Sequence, residues 1–362
     1  MTTGRPLAVD LNVTSLKGVS MRFPAILLSF LVVPSLFAEP PVYRITHKFT
    51  LAGEGRWDYV VPDPPRHRLF IGRENRVMVV NERNGKLLGA VLGIDGAHGV
   101  ALVRHTGHGF ATSGNDGSIV MFDLRTLKPL ARIPAAEDAD AIIYDSVSDR
   151  VFSFNGDAHS STVVDPGAGK LVTNIPLGGK PESGVSAGNG KVYVNITDTN
   201  EVAEIDASAL QVTRRWSTEP CQHPVAMAID LKNHRLFSGC RSGAMAVSDY
   251  DAGTVVATVP IGEGVDGAAF DPDSGDAFAS NGDGTLTVIH QDGPDKYHVV
   301  ENVKTMRGAR TMGLDPTTHQ LFLVSARFGP VPPATPENPR RRPPMVPGTF
   351  TLMVIERTPD SQ

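Results

Sequence analysis

Ionisable side chains recur along the chain at intervals of about 40 residues, and their types suit ligand or metal binding. Imidazole and carboxylate groups together suit a divalent ion such as zinc, copper, manganese or calcium. A guanidinium group can instead hold a carboxylate or phosphate of an organic ligand. The recurring residues are Asp58 beside Trp57, His98, Asp140, Glu182, His223, Asp266 and Arg310.

The elements that position these residues are repeats. Each repeat has a short apolar run that ends in an anchor residue, a few turn residues and a second apolar strand. The seven anchors follow one another at roughly 41 to 44 residues, and they are Asp63, Arg104, Asp145, Gly188, Asp230, Asp271 and Asp315. A period of about 40 to 45 residues built from short strands is typical of a four-stranded propeller blade.

The sequence therefore predicts an all-β, seven-bladed β-propeller of four-stranded blades. Turn signals such as Asn115-Asp116-Gly117 support the short hairpins, because these residue types tolerate positive φ. The last repeat lacks an outer strand, and the segment 43–51 resembles the outer strands of other repeats. We therefore expect an N-terminal strand to complete the last blade and close the ring, which removes an exposed sheet edge.

The first strand of a blade lines the central axis, so the recurring ionisable residues should surround one mouth of the channel. A wet channel mouth can be polar without binding anything, and this reading stays open. A metal at the mouth would draw on His98, His223, Asp140 and Glu182. An anionic or sugar-like ligand would instead use the arginine and its neighbours.

A Pro- and Arg-rich insertion occupies residues 328–348 of the last repeat. It lies between the second and third strands, so it emerges on the face of the ionisable ring. Long loops in compact domains are commonly lids, binding loops or disordered segments. As a lid, it would bring Arg340, Arg341 and Arg342 over the mouth. A solvated surface loop is the alternative.

Two cysteines are present, Cys221 and Cys240. The first begins the inner strand of the fifth repeat and the second ends the adjacent strand. Both ends of such an antiparallel hairpin lie on the mouth face, which predicts a disulfide.

The N-terminal region has the pattern of a signal peptide. Met21 and Arg22 precede an apolar run over 25–36 and a small residue, Ala38. This run is too short to span a bilayer comfortably. We therefore expect residues 1–38 to be an N-terminal extension and signal peptide, with Met21 as a possible start. The propeller then occupies 39–358, and the mature chain is periplasmic or secreted with no membrane span.

The segment 192–206 reads Val-Tyr-Val-Asn-Ile-Thr-Asp-Thr-Asn-Glu-Val-Ala-Glu-Ile-Asp and resembles the YVTN repeat. The chain is similar to YncE-like, YVTN-family β-propeller proteins over essentially the whole mature part. The resemblance is specific for a propeller fold. It does not choose a function, because the family includes surface-layer proteins, binding proteins and relatives of propeller subunits in redox enzymes.

These observations favour an exported binding protein that holds a small ligand, ion or protein partner at the channel mouth. Two alternatives remain, a metal-dependent, lactonase-like hydrolase at the same mouth and a non-catalytic envelope scaffold. The net charge of -5 argues against nucleic acid as a partner, because phosphate contacts need a basic face. We expect a monomer without catalytic residues, with no required cofactor other than an optional divalent metal ion.

Overall fold

The structure is a computed structural model that describes residues 42–51, 53–333 and 342–358. These residues form 26 strands in six sheets. Two single-turn 3-10 segments, Pro64–Arg66 and Gly114–Asp116, lie in hairpin loops. Within the described ranges, no helix is long and apolar enough to cross a membrane. The predicted signal peptide lies outside the described residues.

One sheet has six strands in chain order. It consists of β2 (Val60–Asp63), β3 (Arg68–Asn81), β4 (Leu87–Val103), β5 (His108–Ser113), β6 (Ser118–Asp123) and β7 (Pro129–Pro134).

Four further sheets contain four strands each. The first contains β8 (Ala139–Asp145), β9 (Arg150–Asn155), β10 (Ser160–Asp165) and β11 (Lys170–Pro176). The second contains β12 (Pro181–Ser186), β13 (Lys191–Ile196), β14 (Glu201–Asp206) and β15 (Gln211–Ser217). The third contains β16 (Pro224–Asp230), β17 (Arg235–Cys240), β18 (Ala244–Asp249) and β19 (Thr254–Pro260). The fourth contains β20 (Val265–Asp271), β21 (Asp276–Asn281), β22 (Thr285–Gly293) and β23 (Lys296–Lys304).

The sixth sheet combines the first described strand with the last three. Its strands are β1 (Val42–Thr50), β24 (Met312–Asp315), β25 (Gln320–Ser325) and β26 (Thr351–Thr358), in the order β1-β26-β25-β24. The strand β1 is an edge strand, antiparallel to β26 from the pair Val42 and Thr358 to the pair Thr50 and Thr351.

The sheets have a β-propeller arrangement, which confirms the predicted all-β propeller with four-stranded units. The inner strands β2, β4, β8, β12, β16, β20 and β24 pack side by side. They surround an axial cavity of about 170 Å³, lined by residues such as Tyr59, Gly99, Ser183 and Met227.

The prediction of seven blades closed into a ring by an N-terminal strand is wrong. There are six sheets among the described residues, and no strand there joins the sixth sheet to the six-stranded one. The physical reason is continuity of the backbone pairing. Strands β3 and β4 are 14 and 17 residues long, and β4 pairs with β3 and then with β5, so the first two repeats share one sheet.

The hydrophobic core lies between neighbouring sheets. One cluster joins Ile71 and Val80 of the six-stranded sheet to Phe322 and Phe350 of the sixth sheet region, and all four are fully buried or nearly so. Burial of a side chain the size of Phe contributes about 1.5 to 3 kcal/mol relative to exposure. Repetition of such clusters around the axis fixes the inner strands that carry the candidate site.

The repeated aspartates that end the inner strands have a structural role. Asp230, Asp271 and Asp315 are buried, and each accepts a hydrogen bond from a backbone N–H in the following turn. Asp145 does the same with the backbone N–H of Ser148 at 2.8 Å. A short polar side chain that bonds its own turn favours a tight hairpin. The aspartates that recur most regularly along the sequence therefore stabilise hairpin turns.

Candidate functional site

Irregular pairing within four of the inner strands positions four of the ionisable side chains. The register between inner and second strands shifts between residues 97 and 100, 139 and 142, 181 and 184, and 265 and 267. His98, Asp140, Glu182 and Asp266 lie within these four irregular segments. An unpaired residue at a bulge turns its side chain away from the regular pleat, and such bulges re-aim side chains near functional sites.

Asp58, His98 and Asp140 form a cluster at the mouth. Nδ1 of His98 lies 2.7 Å from Oδ2 of Asp58 and 3.4 Å from Oδ1 of Asp140. The side chains are 28%, 16% and 21% exposed for His98, Asp58 and Asp140, so they are shielded but reachable from solvent. One ligand atom from each lies within 4.8 Å of the others, which satisfies the proximity required for a shared metal ion.

Two arginines also lie at the mouth. Nε of Arg310 contacts Oδ2 of Asp266 at 3.0 Å. Arg241 approaches Glu182 at 4.0 Å and Asp266 at 3.9 Å, while its own side chain is half exposed. We call Asp58, His98, Asp140, Glu182, Asp266 and Arg310 the mouth ring.

Three carboxyl groups of the mouth ring, those of Asp140, Glu182 and Asp266, have raised pKa values. Burial, and then the charge of Asp58, raise the pKa of Asp140 well above its usual value. Burial and the charge of Asp266 raise the pKa of Glu182 to about 7, and burial raises that of Asp266 to about 6 despite Arg310. The mouth therefore crowds acidic groups into a poorly solvated place, as functional sites often do.

The neighbouring carboxylates favour the charged forms of the two basic residues of the mouth ring, His98 and Arg310. Burial disfavours the imidazolium form of His98, but its hydrogen bond to Asp58 and the charges of Asp140 and Asp58 outweigh this and raise its pKa to about 9. The charge of Asp266 raises the pKa of Arg310. Just inside the channel, burial and the charge of Asp140 raise the pKa of Tyr59 well above its usual value.

His223 lies outside the mouth ring. Its backbone N–H donates to Oδ1 of Asn200 at 2.8 Å, its ring Nδ1 lies 3.3 Å from the carbonyl of Thr197, and the residue is exposed. The register shift of its sheet lies between Pro224 and Ala226, so Val225 occupies the position that the other sheets give to an ionisable group. The structure therefore brings His98 and Asp140, but not His223, into one cluster.

Arg241 contributes to the mouth although the sequence analysis did not select it. It follows the end of β17, where the corresponding positions after β5, β9 and β21 hold Gly114, Gly156 and Gly282. A comparison of second-strand ends across the repeats would have found this substitution. Most other repeats have small residues at this rim position, whereas the arginine extends toward the carboxylates.

A cavity of about 550 Å³ opens beside the mouth ring, and we call it the mouth cavity. Its lining includes two aromatic rings, four arginines and one acidic residue. The residues that line it are Gly55, Arg56, Trp57, Glu74, Gly282, Arg307, Gly308, Arg310, Phe328, Arg342, Pro343, Pro344 and Met345.

Aromatic contacts hold Trp57 at the wall of this cavity. Its ring centroid is 5.9 Å from that of Phe328 and 5.3 Å from that of the buried Phe350. Below it, the fully buried Arg73 donates hydrogen bonds to the carbonyls of Gly53 and Gly55 and stacks on Phe350 at 3.8 Å. Burial lowers the pKa of Arg73 to about 10. The hydrogen bonds of Arg73 therefore hold the loop before β2 in place.

The insertion of the last repeat borders the mouth cavity. Its two ends are joined by an isolated bridge between Phe328 and Met345, and the backbone N–H of Gly329 donates to the carbonyl of Pro344 at 2.8 Å. Arg342 lines the cavity, whereas Arg340 and Arg341 lie outside the described residues. The base of the insertion is thus ordered and lies on the mouth face.

A disulfide joins Cys221 and Cys240. Both residues are fully buried, and Cys240 pairs with Pro224 at the end of the β16-β17 hairpin. The bond ties the loop that enters β16 to the strand that carries Arg241 at its end.

Comparison of the chain with protein-family models gives no match, and comparison with curated proteins gives no significant match.

Proposed function

We propose that this β-propeller is a non-catalytic binding protein for a small organic anion, held in the mouth cavity. The observation that carries the proposal is the lining of that cavity. Trp57 and Phe328 provide aromatic surface, and Arg56, Arg307 and Arg310 provide positive charge. An aromatic or alicyclic carboxylate or phosphate combines the apolar body and the negative group that such a lining recognises.

The size of the cavity supports a small molecule as the ligand. Pockets of about 300 to 1,000 Å³ are usual for drug-sized ligands, and they combine apolar walls with a few polar groups that fix orientation. The mouth cavity of about 550 Å³ falls within this range. The contact of Arg310 with Asp266 holds one guanidinium group at its floor, which reduces the side-chain entropy lost on binding.

The resemblance of residues 192–206 to the YVTN repeat supports membership of the YncE-like propellers, and we propose this as the family. We also propose that residues 1–38 direct export and that the mature protein acts in the periplasm or outside the cell. The disulfide between Cys221 and Cys240 supports this, because such bonds persist in oxidising compartments.

A matched pair of probes tests the proposed ligand class. 2-Naphthoate and the uncharged 2-naphthamide have similar shapes, and binding of each is measured by calorimetry and by tryptophan fluorescence. We expect the carboxylate to bind at least about tenfold more tightly than the amide, because charge-assisted hydrogen bonds to arginine contribute on the order of 1.5 to 3 kcal/mol.

Variants identify the place of binding. Trp57→Phe should abolish the fluorescence response, whereas Trp216→Phe should keep it, because Trp216 is buried in a different cluster. Arg307→Gln should weaken naphthoate binding, and the exposed Arg125→Gln serves as its matched control. Equal affinities for acid and amide, or equal effects of the two arginine variants, would contradict the proposal and favour a scaffold without a small-molecule site.

A further inference from the structure

We propose that Asp58, His98 and Asp140 form a binding site for a divalent first-row transition-metal ion, with Zn²⁺ as a representative. This site is separate from the anion-binding function proposed for the mouth cavity, and it does not depend on that function. It rests on the arrangement of three donor groups, on an unpartnered carboxylate oxygen and on the charge of the surrounding layer.

The three donors come from separate places in the chain and converge on one point. Asp58 directly precedes β2, whereas His98 and Asp140 lie in the irregular segments of β4 and β8. Nδ1 of His98 is the atom that faces both carboxylates, at 2.7 and 3.4 Å. Ligand atoms about 2.0 to 2.2 Å from one ion must lie about 3 to 3.5 Å from one another, so small adjustments suffice to admit a metal.

The backbone of Gly114 holds the imidazole in this orientation. A Cβ atom at Gly114 would lie 2.8 Å from Nε2 of His98 and 3.1 Å from the carbonyl of Ala139. The Nε2 edge of the ring therefore packs against the second strand, and the Nδ1 edge is directed toward the carboxylates. Such support from neighbouring atoms fixes the orientation of a metal-binding histidine.

One carboxylate oxygen of the cluster lacks a hydrogen bond to the described residues. Oδ1 of Asp140 is buried and has no hydrogen-bond partner within the described part of the chain, although it lies beside Nδ1 of His98. A buried carboxylate oxygen without a partner is costly, and in native proteins buried charges are paired or coordinate metals.

The charge of the layer leaves room for a divalent ion. A metal ion that binds Nδ1 of His98 displaces the proton of the imidazole and favours ionised carboxylates, so the mouth then holds four carboxylates and the two guanidinium groups of Arg241 and Arg310. The four are Asp58, Asp140, Glu182 and Asp266, so the layer has two uncompensated negative charges. One divalent cation balances them.

The donor set selects the class of metal. One imidazole and two carboxylates suit a transition ion better than Ca²⁺, which takes six to eight oxygen ligands. Three protein donors and a side open to solvent leave a further coordination position for water or another ligand. The site thus resembles an open metal site more than a closed structural one.

Calorimetric titration with ZnCl₂ tests the site in the full-length chain after treatment with a chelator and its removal. We expect one saturating equivalent and much weaker binding of CaCl₂. Asp140→Asn and Asp58→Asn should each weaken Zn²⁺ binding at least about 100-fold, because even loss of a supporting group near a metal costs 10- to 100-fold. Asp292→Asn is the matched control, since Asp292 contacts Nδ1 of His298 at 2.8 Å on an exposed surface.

Thermal unfolding separates loss of the metal from loss of the fold. Without metal, Asp140→Asn should unfold at the same temperature as the wild type or higher, because it removes a poorly compensated charge. Added ZnCl₂ should raise the unfolding temperature of the wild type and of Asp292→Asn, but not that of Asp140→Asn. Absence of saturable Zn²⁺ binding, or an equal response of all three proteins to ZnCl₂, would overturn the proposal.

Discussion

At the mouth, burial favours the protonated forms of Asp140, Glu182 and Asp266. Glu182 is only 15% exposed, and the guanidinium group of Arg241, which is half exposed, lies 4.0 Å from its carboxylate. An exposed partner at that distance offers little compensation. The ring therefore stores electrostatic strain that a ligand, a proton or a cation can relieve.

Replacement of Glu182 by glutamine should reveal this strain. The pKa of Glu182 is raised to about 7, so the folded state binds its proton more tightly than the unfolded state. The associated stability is fully present below about pH 4.5 and is lost as the pH rises through about 7. Glu182→Gln should raise the free energy of unfolding at pH 8.5 by up to about 3 kcal/mol and leave it unchanged at pH 4.

Urea unfolding at both pH values measures this difference. The exposed Glu263→Gln is the control and should have little effect at either pH. A Glu182→Gln variant that is less stable than the wild type at pH 8.5 would show that the carboxylate is well compensated.

Single residues also decide the membership of the ring. His223 lies seven positions before its anchor Asp230, whereas the ionisable residues in the irregular segments of the other sheets lie five or six positions before their anchors. The position of a bulge depends on hydrogen bonding between two strands, so counting along one strand does not locate it. Because of this difference, Val225 rather than His223 lies in the irregular segment of β16, and the same sheet contributes Arg241 to the mouth.

Among the secondary-structure elements, the β16-β17 hairpin differs from its neighbours because it carries both a disulfide and the additional arginine. The bond between Cys221 and Cys240 closes a loop with a sequence separation of 19 residues. A cross-link that closes a loop of this length stabilises a protein by about 3 kcal/mol, because it lowers the conformational entropy of the unfolded chain. The hairpin that presents Arg241 is therefore anchored at its mouth end.

Removal of this disulfide should destabilise the protein while leaving the mouth ring in place. We expect Cys221→Ala combined with Cys240→Ala to lower the free energy of unfolding by about 3 kcal/mol, because the unfolded chain gains entropy. Denaturant unfolding with and without reductant measures the change. Equal stability of the oxidised wild type and the double variant would show that the bond contributes nothing to folding.

On the scale of the whole molecule, the first described strand and the last three form one sheet. Tyr43 in β1 is buried, and its hydroxyl donates to Oδ2 of Asp276 in the neighbouring sheet at 2.7 Å. Phe49 packs against the cluster between the sixth sheet and the six-stranded one. Strand β1 therefore covers the edge of β26, and its side chains also contact the two neighbouring sheets.

Loss of β1 should expose the edge of β26. A chain that begins at residue 51 should have a free energy of unfolding at least about 3 kcal/mol lower, because buried aromatic contacts are lost. It should also tend to associate, since an unpaired strand edge is a template for pairing. A synthetic peptide of residues 42–50 should restore the unfolding temperature, and a scrambled peptide should not. A truncated chain that stays monomeric and equally stable would contradict this.

The sequence by itself determined the β-propeller arrangement and the approximate positions of most mouth residues. Both follow from a repeat of about 40 residues, in which local turn chemistry at aspartates such as Asp145 and Asp271 recurs at a constant distance from the inner strands. Tertiary structure alone decided the number of sheets, the exclusion of His223, the approach of Arg241 and the mouth cavity. These depend on hydrogen-bond register between strands and on contacts between segments far apart in the chain, such as Trp57 with Phe328 and Phe350. Neither leaves a periodic trace along the sequence.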